Sequence, residues 1–280
     1  MPNASHQPTP HRPIVLPGDP ASGVVLLCDH ASNAIPAEYA SLGLPAGQLE
    51  RHIAYDIGIA ATTRRMAEIL GCPAVFSTFS RLLIDPNRGE DDPTLVMRLS
   101  DGAVVPGNAK ADRAEVERRL ARFYRPYDRA VEAAIAASLE AGPPPMVVSM
   151  HSFTPAWKGA PRPWHVTVLW DADPRLPLPL IEALQAEGDL VVGDNEPYDG
   201  ALAGDTINRH ATARGLSNAL IEVRQDLIGT EAGALAWGER LARIIGALAA
   251  DPAQHRIELH PTRTASRQRA AFRGDPGPSI

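Results

Sequence analysis

Two histidines stand where runs of aliphatic residues stop: His30 after "VVLLC" and Asp29, and His151 after "MVVSM". A single imidazole at such a place is most often a core side chain satisfied by one hydrogen bond. Two at equivalent places favour a divalent metal held by both rings, with a carboxylate as third protein ligand and an open position for water. Such an ion lowers the pKa of its water toward about 7 and polarises a carbonyl, so hydrolysis becomes possible at neutral pH. Glu222, inside the apolar run "NALIEVRQ", is the candidate general base, because a carboxylate there is costly to bury without a partner. The competing reading of Glu222 is an ion pair with Arg224, which lies two residues on and so shares its strand face.

The stretch "SRLLIDPNR", Ser80 to Arg88, brings arginines to both flanks of an apolar run. A guanidinium fork matches a substrate carboxylate bidentately, so Arg81 and Arg88 are candidate substrate residues. Pairing with Asp85, Asp91 or Asp92 to fasten a loop is the alternative, and one arginine can do each. His210, in "TINRHATARG", is a candidate substrate or acid/base residue or else a helix-end cap. Ser32 lacks the Gly-x-Ser-x-Gly elbow of a serine nucleophile. Strand alternation turns Cys28 away from Asp29, and an apolar setting raises a thiol pKa, so Cys28 is not expected to be a nucleophile either.

These residues must be carried by something rigid. The runs "GVVLLC", "PAVFSTFS" continuing into "RLLID", "MVVSMH", "HVTVLW", "LVVGD" and "NALIEV" read as strands of a sheet covered on both faces. Helical spacing separates them at 50–70, 112–140, 178–187 and 231–250. The alternation predicts an α/β fold, a three-layer α/β/α sandwich around a mainly parallel or mixed sheet. Ligands of such sheets bind outside the carboxyl ends of the strands, where the candidate residues stand.

The chain has 280 residues, 44% of them hydrophobic, a formal net charge of -6 and two cysteines, Cys28 and Cys72. That length suits a single domain over 14–255, with a loose tail at 1–13 and a polar tail at 256–280. The charge gives no general attraction for nucleic acid or an anionic membrane, so the expected partner is a small molecule; the oligomeric state is open. No apolar run reaches the roughly 18–20 residues of a membrane span, and "MPNASHQPTPHRP" has no signal-peptide pattern, so a cytoplasmic protein with reduced thiols is expected.

Taken in order, "LLCDHASNAIP", "SRLLIDPNR", "SMHSF", "DNEPYDG" and "GLSNALIEVRQDLI" resemble the N-formylglutamate amidohydrolase family, from about Val24 to Ala249. The resemblance implies a fold like that of zinc carboxypeptidases and aspartoacylase-like enzymes. It also implies metal-dependent hydrolysis of a formyl or other acyl amide on an acidic amino acid, with zinc the first candidate metal. By the same resemblance His30 and His151 are metal ligands, Asn87 and Arg88 hold the substrate carboxylate, and Glu222 is catalytic; Arg81 or Arg224 is expected to assist Arg88. The third ligand departs from the carboxypeptidase pattern, which has Glu three residues after the first His; here that residue is Asn33. Asp56 in "RHIAYDIGIA" is the expected replacement, unless it serves the start of a helix or pairs with His52. Asp29 is a second possibility, better suited to orienting an imidazole. The alternatives to an N-formylglutamate enzyme are a related amidase or deacylase on another carboxylate-bearing substrate, and a carboxylate-binding domain that has lost its metal.

Overall fold

The computed structural model describes residues 11–264. Seven strands form one sheet: β1 (Ile14–Leu16), β2 (Val24–Cys28), β3 (Ala74–Phe76), β4 (Met146–Phe153), β5 (Val166–Leu169), β6 (Val192–Asp194) and β7 (Asn218–Arg224). Their spatial order is β1-β3-β2-β4-β7-β5-β6. Neighbours run parallel except β1 with β3 and β7 with β5. Every residue of β2 and β4 is buried, which is why these strands read as unbroken apolar runs rather than alternating ones.

Five helices matter for the site: α1 (Ile59–Leu70), α2 (Arg125–Ala141), α3 (Pro177–Ala186), α4 (Thr206–His210) and α5 (Glu231–Leu248). Apolar side chains of α1, α3 and α5 pack on the face that carries Val24, Leu26, Cys28, Met146, Val148 and Ile221. Helix α2 packs on the opposite face, against Val25, Leu27, Val147 and Leu220. The result is the expected α/β/α sandwich. From β2 the chain passes to β3 on one side, and then to β4 on the other side of β2. That reversal opens a crevice between the carboxyl ends of β2 and β4.

Two expected elements differ. The helix expected from residue 50 begins at Ile59, because 50–58 fold as turns ending at Gly58, whose φ of 81° is left-handed. The run "RLLID" is a loop, not a strand. Its backbone donors go to other loops or turn back on Ser80, Arg81 N to Ala54 O, Asp85 N to Leu95 O and Leu83 N to Ser80 O, and Leu82, Leu83 and Ile84 are apolar because they are buried in the α2-side core. A short buried apolar run has the same composition in either conformation.

Within the expected C-terminal tail, Glu258 N donates to Gly215 O (2.8 Å), and Arg263 N donates to Asp171 Oδ1 (2.7 Å). Residues 1–10 and 265–280 of the two expected tails lie outside the described residues. Among the described residues no helix is long and apolar enough to cross a membrane.

Candidate active site

Strand pairing sets the first contacts. Parallel register between β4 and β7 places Glu222 opposite His151, and the antiparallel pairing of β7 with β5 places Thr167 on the other flank of Glu222. Alternation sends Met150 and Ile221 into the α1-side core, so His151 and Glu222 face the α2 side. His30, just past β2, joins them: the two imidazole rings lie 4.8 Å apart, centroid to centroid, nearly perpendicular.

Asp56 completes the group. The turn that ends at Gly58 delivers it, with Asp56 N donating to His30 O (3.0 Å). Gly58 has no alternative there, since a Cβ would lie 2.0 Å from Ile228 O. Asp56 Oδ2 approaches His151 Nδ1 at 2.9 Å and His30 Nδ1 at 3.4 Å, and accepts from Ser152 N (3.2 Å). One donor atom from each of His30, Asp56 and His151 lies within 4.8 Å of the others, and all three residues are buried. Two imidazoles and a carboxylate are the donor set of an open catalytic zinc site, and these three could hold a metal ion.

Each histidine is also gripped from behind by a carboxylate. His30 Nε2 lies 2.7 Å from Asp85 Oδ1, and His151 Nε2 lies 3.1 Å from Asp29 Oδ2. Such outer partners fix the ring that a metal would meet and turn its other nitrogen inward. Asp85 Oδ2 in turn accepts from Arg81 Nη2 (2.9 Å), and Arg81 Nη1 stands 3.6 Å from Asp56 Oδ1. Asp29 accepts from the hydroxyls of Ser149 (2.8 Å), Tyr127 (3.0 Å) and Thr206 (2.7 Å).

The electrostatics follow from that crowding. Burial opposes the charges of Asp29 and Asp56, but His30 and His151 outweigh it and hold both carboxyls below the usual range. For Asp85 burial is outweighed first by Arg81 and then by His30. Burial would lower the pKa of His151, yet its bonds to Asp29 and Asp56 raise it to about 10. Glu222 goes the other way. Burial pushes it up to about 7, only partly opposed by the charges of His151, Arg81 and Arg162, and its Oε2 is buried with no hydrogen-bond partner.

Residues 22–229 match the sequence model of the family described as "FGase: N-formylglutamate amidohydrolase". The chain belongs to the N-formylglutamate amidohydrolase family. Among solved structures, this family member is similar to gene product Atu2144 from Agrobacterium tumefaciens, at 34% identity and a TM-score of 0.79 over 85% of this chain and 95% of that one. It shares its fold with the N-formylglutamate amidohydrolase of Ralstonia eutropha JMP134, at 23% identity and a TM-score of 0.64 over 85% and 97% of the two chains. No curated protein matches it.

The other sequence candidates of this N-formylglutamate amidohydrolase family member fall at varied places. Asn33 donates to Leu49 O (3.0 Å), outside the histidine group. Asn87 is buried and its Oδ1 accepts from Thr206 N (3.0 Å). Arg88 Nη1 donates to Asn87 O (2.8 Å) and its Nε to Thr94 Oγ1 (3.3 Å), with no ion-pair partner among the described residues. Arg224 does not pair with Glu222. It binds Asp226 (2.7 Å) and the carbonyls of Arg162 and Trp164 (both 3.2 Å), strapping down that segment. His210 faces α2, 2.7 Å from Asp128 and 3.3 Å from Glu132. His52 lies 3.5 Å from Asp101, so Asp56 is not its ion-pair partner. Cys28 points into the α1-side core, where burial raises its thiol pKa well above the ordinary value.

Sequence reasoning does not single out Ser149, Tyr127, Thr206 or Arg162. Ser149 carries a signal, since it precedes His151 by two in one strand and so shares its face. The others reach the crevice from distant helices and loops, and no local pattern marks them.

Proposed function

We propose that the chain is a metal-dependent amidohydrolase that cleaves the formyl amide of N-formyl-L-glutamate. One observation carries this reading: the unpartnered, buried Oε2 of Glu222 stands in register with His151 of the His30–Asp56–His151 group. A divalent ion in that group, zinc first by its donor set, would polarise the acyl carbonyl and lower the pKa of a water. Glu222 Oε2 takes a proton from the water that attacks the formyl carbon and passes it to the departing nitrogen, so the C–N bond breaks to give formate and glutamate. With a pKa of about 7, Glu222 can serve both steps near neutrality. Asp29 and Asp85 hold the two imidazoles, and Arg81 ties Asp85 to the edge of Asp56. Arg88, with Asn87 beside it, holds the substrate's α-carboxylate. Arg224 supports this arrangement from outside by fastening the 162–164 segment.

The test is metal analysis of the purified protein together with formate release from N-formylglutamate. Wild type should hold stoichiometric metal and release formate; Glu222→Gln should retain the metal and lose at least about 1,000-fold in kcat, since it removes the proton carrier and leaves the ligands in place. Metal without formate would reassign the substrate, and substantial turnover by E222Q would show that another group carries the proton.

A further inference from the structure

Arg162 is a buried guanidinium without an acidic partner. It follows the hairpin Ala156–Trp157/Ala160–Pro161, whose base it closes by donating its backbone N to Pro155 O (2.8 Å). The residue is 9% exposed, and its guanidinium is packed against the rings of Phe153, Trp157 and Tyr198, at 5.8, 5.7 and 5.2 Å from the three centroids. Its hydrogen bonds go to uncharged oxygens: the Tyr198 hydroxyl (2.8 Å), and the Thr154 hydroxyl (3.1 Å) and carbonyl (3.4 Å). No described carboxylate lies within ion-pair distance of it. Burying a guanidinium in this way is unfavourable unless an anion arrives to complete it.

The position of Arg162 says which anion. Arg162 donates to the Tyr198 hydroxyl (2.8 Å), its charge acts on Glu222, and that of Glu222 acts on Tyr198, so the three are neighbours. Along the sheet the site runs from His30 at the end of β2, through His151 on β4, to Glu222 on β7. Arg88 stands at the His30 end, where its charge acts on Asp85. Arg162 stands at the Glu222 end, beside the β7–β5 flank where Thr167 Oγ1 is also buried and unpartnered. Arg81 and Arg209 are paired with carboxylates. Two arginines without acidic partners among the described residues, one acting by its charge on Asp85 behind His30 and the other on Glu222, fit a ligand with two carboxylates. The aromatic faces around Arg162 suit the methylene stem of the longer arm.

We propose that Arg162, supported by Tyr198, is the receptor for the substrate's side-chain carboxylate and sets the preference for acidic over amide side chains. This rests on the reading of the site as an N-acyl amino acid hydrolase. Tyr198 is held in place by the loop "DNEPYDG", in which Asn195 Oδ1 accepts from Trp170 N (3.0 Å) and Gly200 N (2.9 Å).

The test measures kcat/KM for N-formylglutamate and N-formylglutamine, which differ by a carboxylate against an amide, in wild type, Arg162→Gln and Arg162→Lys. Wild type should favour glutamate. In R162Q the ratio of the two values should fall by about 30-fold or more, the loss of a charge-assisted pair, and R162K should fall less because it keeps the charge without the fork. A ratio that stays at the wild-type value while both activities drop would overturn the proposal and leave Arg162 a hairpin fastener. If R162Q melts far below wild type, the R162K ratio decides alone. If wild type releases no formate, the proposed function fails. The role of Arg162 is then read by calorimetry with N-acetylglutamate and N-acetylglutamine: a preference lost in R162Q supports it, and equal binding by wild type overturns it.

Discussion

Asp205 caps α4 by accepting from Asn208 N (2.7 Å), yet it is almost fully buried. Burial outweighs the cap bond, the Asp29 charge adds to it, and the pKa rises from 3.8 to about 7. A carboxyl whose pKa is raised by folding binds its proton more tightly in the folded state. Its stabilising contribution is therefore complete below about pH 4 and is lost as pH rises toward 7. Asparagine caps as well as aspartate and does not titrate. Asp205→Asn should therefore gain stability relative to wild type between pH 5 and pH 8, by a few kcal/mol at most, measured as the difference between their urea midpoints. A difference that does not change with pH would show that Asp205 is ionised throughout. At this scale the sequence is a good guide where chemistry forces an unusual residue into an apolar run: His151 and Glu222 stand out because nothing else in "MVVSMH" or "NALIEV" is ionisable. Arg162 in "PRPW" is invisible by the same criterion, since an arginine between prolines is ordinary on a surface.

At the scale of elements, the turn at 50–58 is the part on which the site depends most. Ile53, Ala54 and Ile57 keep an apolar spacing that predicts helix, and the segment is not helix because Gly58 adopts φ 81° and brings the backbone against Ile228 O. Gly58→Ala should cost about 2 kcal/mol or more through a strained φ and a direct clash. It should also lower metal content, since Asp56 moves with the turn. Denaturant titration and metal analysis check the two effects, and a variant with wild-type stability would show that the turn can relax. The strands β2, β4 and β7 are legible because continuous burial writes continuous hydrophobicity. "RLLID" misleads for the same reason, because a buried loop writes it too. From sequence, Asp85 in that loop can be read only as a partner for arginine; its grip on His30 Nε2 depends on a fold that brings residues 30 and 85 together.

On the scale of the whole molecule, the candidate ligands come from positions 30, 56 and 151 and meet only when β2, β4 and the turn before α1 are all in place. A metal bound there links these parts, so it stabilises the folded chain by mass action, about 2.7 kcal/mol at a hundredfold excess over Kd. Chelation should lower Tm by several degrees, re-addition of zinc should restore it, and His151→Ala should show neither change; a Tm indifferent to chelator in wild type would exclude a tightly held ion at this site. The strand order has another consequence. β1, β3, β2 and β4 form one part of the sheet, β5 and β6 another, and β7, the last of these seven strands in sequence, is inserted between them. As the polypeptide leaves the ribosome, the candidate metal-holding residues emerge well before the proposed base, and both part-sheets keep an open edge until residue 224 is out. A prematurely terminated product would therefore carry the candidate metal-holding residues without the proposed base, so on the proposed mechanism the order of synthesis would leave hydrolytic competence to the strand that joins the two part-sheets.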